Sequence, residues 1–268
     1  MFDKVAIIGP GLIGGSMGMA MRRRGLARQV IGIGRRQVSL DSAKQVGAID
    51  SSTLDLAEGL DGADLVVLAT PIGTFERLAG PIGAAMASGA ILTEVASSKV
   101  RVIETLQDGL ATRSDVQLVP THPMAGSEQS GPLAADEALF EGSVCIVTPL
   151  DGEADGAPRL VRELWTALGA RVVSMSPVEH DRLVARISHV PHLAASALMH
   201  TVDEDTMHYC GGGLKDTTRI AASSPDLWMD IYRSNRAEIR GAMRDYIAKL
   251  QQMIAALDAD DMPALREE

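Results

Sequence analysis

What this chain can become is narrowed first by its opening residues. The β-branched run Val5-Ala6-Ile7-Ile8 leads into Gly9-Pro10-Gly11-Leu12-Ile13-Gly14, after which apolar residues recur at helical spacing through Met17 and Met21. Strand, glycine turn and helix in that order give the spacing G-x-G-x-x-G a physical job. Gly9 permits the tight turn, Gly11 lets backbone approach a pyrophosphate and Gly14 lets helix and strand pack closely, while Leu12 and Ile13 open the helix whose positive end receives phosphate. The prediction is an open, doubly wound α/β sheet of Rossmann type that binds a dinucleotide.

The next strand, residues 29–34, ends where such a sheet usually sets an acidic side chain against the adenosine ribose, about 20 residues after the glycines. Arg35 and Arg36 stand there instead. A carboxylate would accept from a free 2′-hydroxyl and repel a 2′-phosphate, whereas a guanidinium offers that phosphate charge and a fork of donors. NADP is therefore favoured, with NAD possible; the plainer alternative is a solvated basic turn. Further strands are predicted at residues 65–69, 91–93, 117–120, 143–148 and 171–175, with an amphipathic helix over 159–168. Their apolar runs are continuous, as in parallel strands covered on both faces. Ligands of such sheets bind beyond the carboxyl ends of the strands. That rule puts Thr70 and Pro71 beside the cofactor, and brings the segment 94–99 and the polar loop 121–128 to the same edge.

After Pro177 the pattern changes. Residues 179–202 and 227–257 have apolar positions at helical spacing and no strand signal, so the division expected is a dinucleotide-binding domain over 1–176 and a helical domain over 177–268. The helices offer more apolar face than one small domain covers, which predicts a homodimer. A formal net charge of -10 argues against nucleic-acid or anionic-membrane partners and leaves a small-molecule substrate. Cys145 and Cys210 make neither a disulfide framework nor a metal knuckle, no apolar run is long enough to span a bilayer, and the start has no signal-peptide layout. A cytoplasmic setting is the expectation.

Candidate chemistry centres on histidines: His122 in the polar loop, and His189 and His192 in Ser188-His189-Val190-Pro191-His192. A pair at i and i+3 shares a helix face and would admit a metal, but no third ligand stands at a recognisable spacing, so no metal is expected. Gly211, Gly212 and Gly213 are costly inside any regular element and predict close backbone approach or a hinge.

Residues 9–16 (GPGLIGGS), 121–128 (THPMAGSE), His180-Asp181, residues 188–192 (SHVPH), and Lys215-Asp216-Thr217-Thr218-Arg219 with Trp228 together resemble the prephenate dehydrogenase family of tyrosine biosynthesis, which includes arogenate and cyclohexadienyl dehydrogenases. The likeness runs from the first strand to about Trp228. It implies a Rossmann domain followed by an all-α dimerisation domain, with substrate bound between the two. It also implies an oxidative decarboxylation: hydride passes from a ring carbon to the nicotinamide, the ring hydroxyl loses its proton and the carboxylate leaves as carbon dioxide. By the same resemblance His122 accepts the hydroxyl proton, as a neutral imidazole suits, Ser97 hydrogen-bonds at that centre, and Lys99 is a positioning or electrostatic group. Arg219 matches the group that grips a substrate carboxylate, Glu128 and Asp216 match an ionic network at the domain junction, and His189 and His192 line the helical wall. Two rivals remain. A β-hydroxyacid type of dehydrogenase relies on a lysine early in its helical domain, yet this chain has no lysine between Lys99 and Lys215. A non-catalytic NADP-binding sensor would leave the histidines and Arg219 unexplained.

Overall fold

Strands whose alternate residues both need cover form only where helices lie on each face of the sheet. The first strand, β1 (Phe2–Ile8), meets that condition. Its Val5 and Ile7 join one core cluster with Met17, Met21 and Trp165, and its Ala6 and Ile8 join another with Phe75, Ile82 and Leu106. The structure, a computed structural model, describes residues 1–127, 129–150 and 156–267. By its internal contacts the chain divides into two compact units, Met1–His180 and Asp181–Glu268.

In the first unit β1 is followed by α1 (Leu12–Arg23), β2 (Ala27–Ile33), α2 (Gln37–Gln45), β3 (Ser51–Thr53), α3 (Leu56–Leu60), β4 (Leu65–Leu68), α4 (Phe75–Ala85), β5 (Ile91–Glu94), α5 (Val100–Gly109), β6 (Gln117–Pro123), β7 (Val144–Val147), α6 (Ala157–Ala167) and β8 (Arg171–Ser174). The strands form one eight-stranded sheet in the order β3-β2-β1-β4-β5-β6-β7-β8. From β3 to β6 all pairs are parallel, which is the doubly wound Rossmann arrangement.

Two details depart from the sequence reading. β7 runs antiparallel to β6, with Thr121 opposite Val147, His122 opposite Ile146 and Pro123 opposite Cys145, before β8 resumes parallel pairing. His122 is therefore not in a loop: it lies in the last three residues of β6, and irregular backbone begins only at Met124. The apolar run that became β7 reads the same for either direction, because a buried strand is apolar on both faces however it is paired. β6 thus changes partner midway, pairing with β5 up to Pro120 and with β7 from Thr121.

The second unit is all helical. α7 (Pro177–Val184) carries the boundary, a π-helical turn (Ala185–His189) continues it, and α8 (Val190–Met199), α9 (Glu204–Met207), α10 (Gly212–Thr218), α11 (Pro225–Ser234), α12 (Arg236–Asp258) and α13 (Met262–Glu267) follow. A small core of Ala185, Val190, Ile239 and Ala242 joins the π turn, α8 and α12. The glycine triplet does not make the close approach expected of it. Gly211 caps α10 and Gly212 and Gly213 begin it, and a Cβ at Gly211 or Gly213 would meet nothing within 4 Å.

Candidate active site

The three glycines after β1 have three different surroundings. Gly9 adopts φ +86°, and a Cβ there would fall 2.7 Å from the Thr70 methyl. At Gly14 a Cβ would fall 2.6 Å from the Gly9 carbonyl oxygen and 2.9 Å from Ile7, so α1 packs on β1 only with glycine there. Gly11, at the N-cap of α1, would meet no atom within 4 Å. Two glycines thus serve the turn and the packing, and the third leaves the space beside its Cα open at the positive end of a helix. That is the cradle a pyrophosphate requires.

The cradle opens on a cleft of about 330 Å³. Gly9, Pro10 and Gly11 line it, together with Thr70 and Pro71 after β4 and with Arg35 and Arg36 after β2. Leu12 begins α1 and Ile13 packs against the core; neither is part of the cleft wall. Sequence reasoning missed Ser39 from the first turn of α2 and Arg77 from α4, which also reach the cleft. Three arginines and no carboxylate stand among the described lining residues, so the wall of the cleft is positively charged.

A second group gathers where β5 and β6 end. Glu94 closes β5 fully buried and forms an ion pair with Lys99, whose side chain is also fully buried. A buried pair of this kind is tolerable only when its remaining hydrogen-bonding capacity is met, and the other Glu94 oxygen accepts the Ala96 N–H at 2.7 Å. Thr121 donates to the Glu94 carbonyl at 2.7 Å, joining the β5 turn to β6. The turn that carries half-buried Ser97 is thereby clamped at both ends. Glu94 was not singled out from sequence; a carboxylate ending an apolar strand with a lysine five residues on was the available signal.

His122 is 8% exposed, and its Nδ1 lies 2.8 Å from Nε2 of His180, which is fully buried. Cys145 is buried in the neighbouring strand; burial pushes its thiol above the ordinary range, against the opposing pull of the Lys99 charge, so it stays protonated and is no nucleophile. Among the described residues no cluster of His, Cys, Asp and Glu could hold a metal ion, and no helix is long and apolar enough to cross a membrane.

In the helical unit His192 stacks on Trp228, with centroids 3.6 Å apart and planes 18° from parallel, and its Nδ1 meets the Tyr232 hydroxyl at 2.5 Å. Burial pushes the His192 pKa down and the Tyr232 pKa up, which favours the neutral form of both. His192 Nε2 is buried with no hydrogen-bond partner among the described residues. His189 meets the same indole edge-on at 6.1 Å, and the Asn235 amide nitrogen lies 3.3 Å from its Nδ1. Arg219 and Lys215 line a separate cavity of about 490 Å³ in this unit, with His200 and Thr218. Asp216 is exposed on α10. Glu128 lies outside the described residues.

Comparison with known proteins places both halves. The family model described as "Prephenate dehydrogenase, nucleotide-binding domain" matches residues 17–174, and that described as "Prephenate dehydrogenase, dimerization domain" matches residues 176–268. The chain is 32% identical to the prephenate dehydrogenase of Bacillus subtilis, over 97% of this chain and 72% of that protein. It is also 32% identical to the cyclohexadienyl dehydrogenase of Zymomonas mobilis, over 100% of this chain and 92% of the relative. Among solved structures, Aquifex aeolicus prephenate dehydrogenase in complex with hydroxyphenyl propionate and NAD+ superimposes with a TM-score of 0.91 at 31% identity, covering 100% of this chain and 94% of that one.

Proposed function

Because this chain belongs to the prephenate dehydrogenase family, we propose that it carries out the oxidative decarboxylation of prephenate, arogenate or both, passing hydride to a nicotinamide dinucleotide. One observation carries the reading at the level of the site. An imidazole, almost buried, stands at the carboxyl edge of a sheet whose first turn is a dinucleotide cradle. Family membership favours this over a β-hydroxyacid dehydrogenase or a non-catalytic sensor.

The bound nicotinamide supplies the hydride acceptor. The protein residues do the rest. His122 takes the ring hydroxyl proton on its imidazole nitrogen, and Ser97 hydrogen-bonds at the same centre. Lys99, neutralised by Glu94, acts by holding the Ser97 turn in place. Arg219 grips a substrate carboxylate, and His189, His192 and Asp216 complete the substrate-binding set, with Glu128 assigned by the resemblance alone. The test is the absorbance of reduced cofactor on mixing the protein with prephenate or arogenate and NADP or NAD. Turnover is expected with at least one substrate; four silent combinations would remove the proposal.

For the cofactor the proposal is NADP. Arg35, Arg36 and Ser39 lie together at the end of the cleft that follows β2, and no carboxylate that would oppose a 2′-phosphate stands among its described lining residues. One charge-assisted hydrogen bond at about 1.5–3 kcal/mol predicts a kcat/KM for NADP roughly 10–100-fold above that for NAD, lost in Arg36→Ala. Equal or better use of NAD by the unaltered protein would overturn the preference and leave the dehydrogenase reading standing.

The proposal includes a homodimer. Along α12, Ile247, Leu250, Met253, Ile254 and Leu257 are 39–59% exposed, an apolar stripe that a monomer would leave in water. Light scattering at micromolar concentration is expected to give twice the chain mass of 28.3 kDa. A monomeric mass would exclude the dimer.

A further inference from the structure

A neutral imidazole carries one proton and can carry it on either nitrogen, so a histidine serves as a base only in one of its two tautomers. Which tautomer prevails is set by the bond that the other nitrogen makes. At His122 that bond goes to a second imidazole. The nitrogens are 2.8 Å apart, while the ring centroids are 5.0 Å apart with planes tilted by 59°, which is an edge contact between nitrogens and not a stack. One ring must donate and the other accept. Were His180 the donor, the single proton of neutral His122 would sit on Nε2 and the base would be blocked. With His180 as acceptor, Nδ1 of His122 holds the proton and Nε2 presents a lone pair.

The charged state separates the two arrangements further. Once His122 has taken a proton it is a donor at both nitrogens. An accepting His180 then receives a charge-assisted bond, stronger than the neutral one, whereas a donating His180 would face N–H with N–H. We propose that His180 is a positioning residue, its Nε2 accepting from Nδ1–H of His122 so that the base is held in the working tautomer and steadied as it becomes imidazolium. The inference rests on the reading of His122 as the base. In the step itself the substrate O–H bond breaks and an N–H bond forms at Nε2 of His122. The Nδ1 proton stays where it is, so His180 remains neutral throughout. His180 is suited to this by complete burial, which keeps water from competing for the bond, and by its place in α7, where its backbone amide donates to the Ser176 carbonyl at 2.9 Å and fixes the residue in the helix.

The experiment combines nitrogen NMR with kinetics on the full chain. In protein carrying 15N-histidine, with His122 signals identified by their loss in His122→Asn, the neutral ring is expected to be protonated at Nδ1 and bare at Nε2. His180→Leu removes the acceptor and is expected to lower kcat on the order of 100-fold with little change in the substrate KM. His180→Gln offers a carbonyl oxygen near the same position and is expected to recover turnover to within about tenfold of the original. A His122 proton found on Nε2 would overturn the proposal, and so would a leucine variant as fast as the glutamine one. If the leucine variant fails to fold, the NMR tautomer and the glutamine variant decide. Loss of the parent reading looks different: His122→Asn would then keep its turnover, whereas an inactive His122→Asn beside an unimpaired His180→Leu removes only the role of His180.

Discussion

Asparagine in place of His122 is expected to lower kcat by about 10²–10⁴-fold, the usual range for a positioned general base, while KM for either ligand changes little. The substitution is chosen for what it retains. His122 is a strand residue paired with Ile146, and an asparagine keeps that backbone and can still donate an amide N–H toward His180 from near the Nδ1 position. What it lacks is a nitrogen able to take the proton at Nε2. Steady-state kinetics, with circular dichroism to confirm the fold, separate the two effects: a lost interaction made only in the transition state lowers kcat and kcat/KM together. Turnover within tenfold of the original would show that the proton leaves by another route and would end the assignment of His122.

Alanine at Arg219 is expected to act on the other parameter. A guanidinium gripping a carboxylate binds most strongly before that charge flows into the ring, so it stabilises the bound substrate at least as much as the transition state. Loss of a charge-assisted contact worth about 1.5–3 kcal/mol predicts a KM raised roughly 10–100-fold with kcat lowered much less. Arg219 follows α10 in a short 3₁₀ turn, exposed, and lines a cavity to which Lys215 also contributes a cation. Two positive side chains around one hollow in a chain of net charge -10 concentrate the attraction for an anion locally. The measurement is a substrate titration at saturating cofactor. Equal loss of turnover in the Arg219 and His122 variants would overturn the division of labour between them.

The parts of this molecule that were legible in the letters are those fixed by short-range chemistry. The glycine turn declares itself because Gly9 needs positive φ and Gly14 has no room for a Cβ, and both needs are written within six residues. The buried parallel strands declare themselves because both faces must be apolar. Strand direction is not written that way, so the reversal at β7 was invisible, and the polar, proline-bearing letters around His122 read as loop although Thr121, His122 and Pro123 complete β6. Pairings through space were less legible still. His180 stands 58 residues from His122 and becomes its partner only through the fold. For Lys99 the resemblance implied a positioning or electrostatic group without naming its partner, and the buried ion pair with Glu94 emerges only in the fold. The π turn at Ala185–His189 adds to the helical spacing locally, and no periodic pattern announces it.

Most of the cleft beside the glycine turn is built from residues at and beyond the ends of β1, β2, β3 and β4, whereas β7 is the strand paired with His122. On the proposed assignment, capture of the cofactor and acceptance of the proton belong to separable parts of one sheet. Remodelling of the appended strands could change or abolish the chemistry while the carrier survives, so a descendant with a divergent β7 and an intact glycine turn is a protein that still collects its nucleotide and has nothing to do with it.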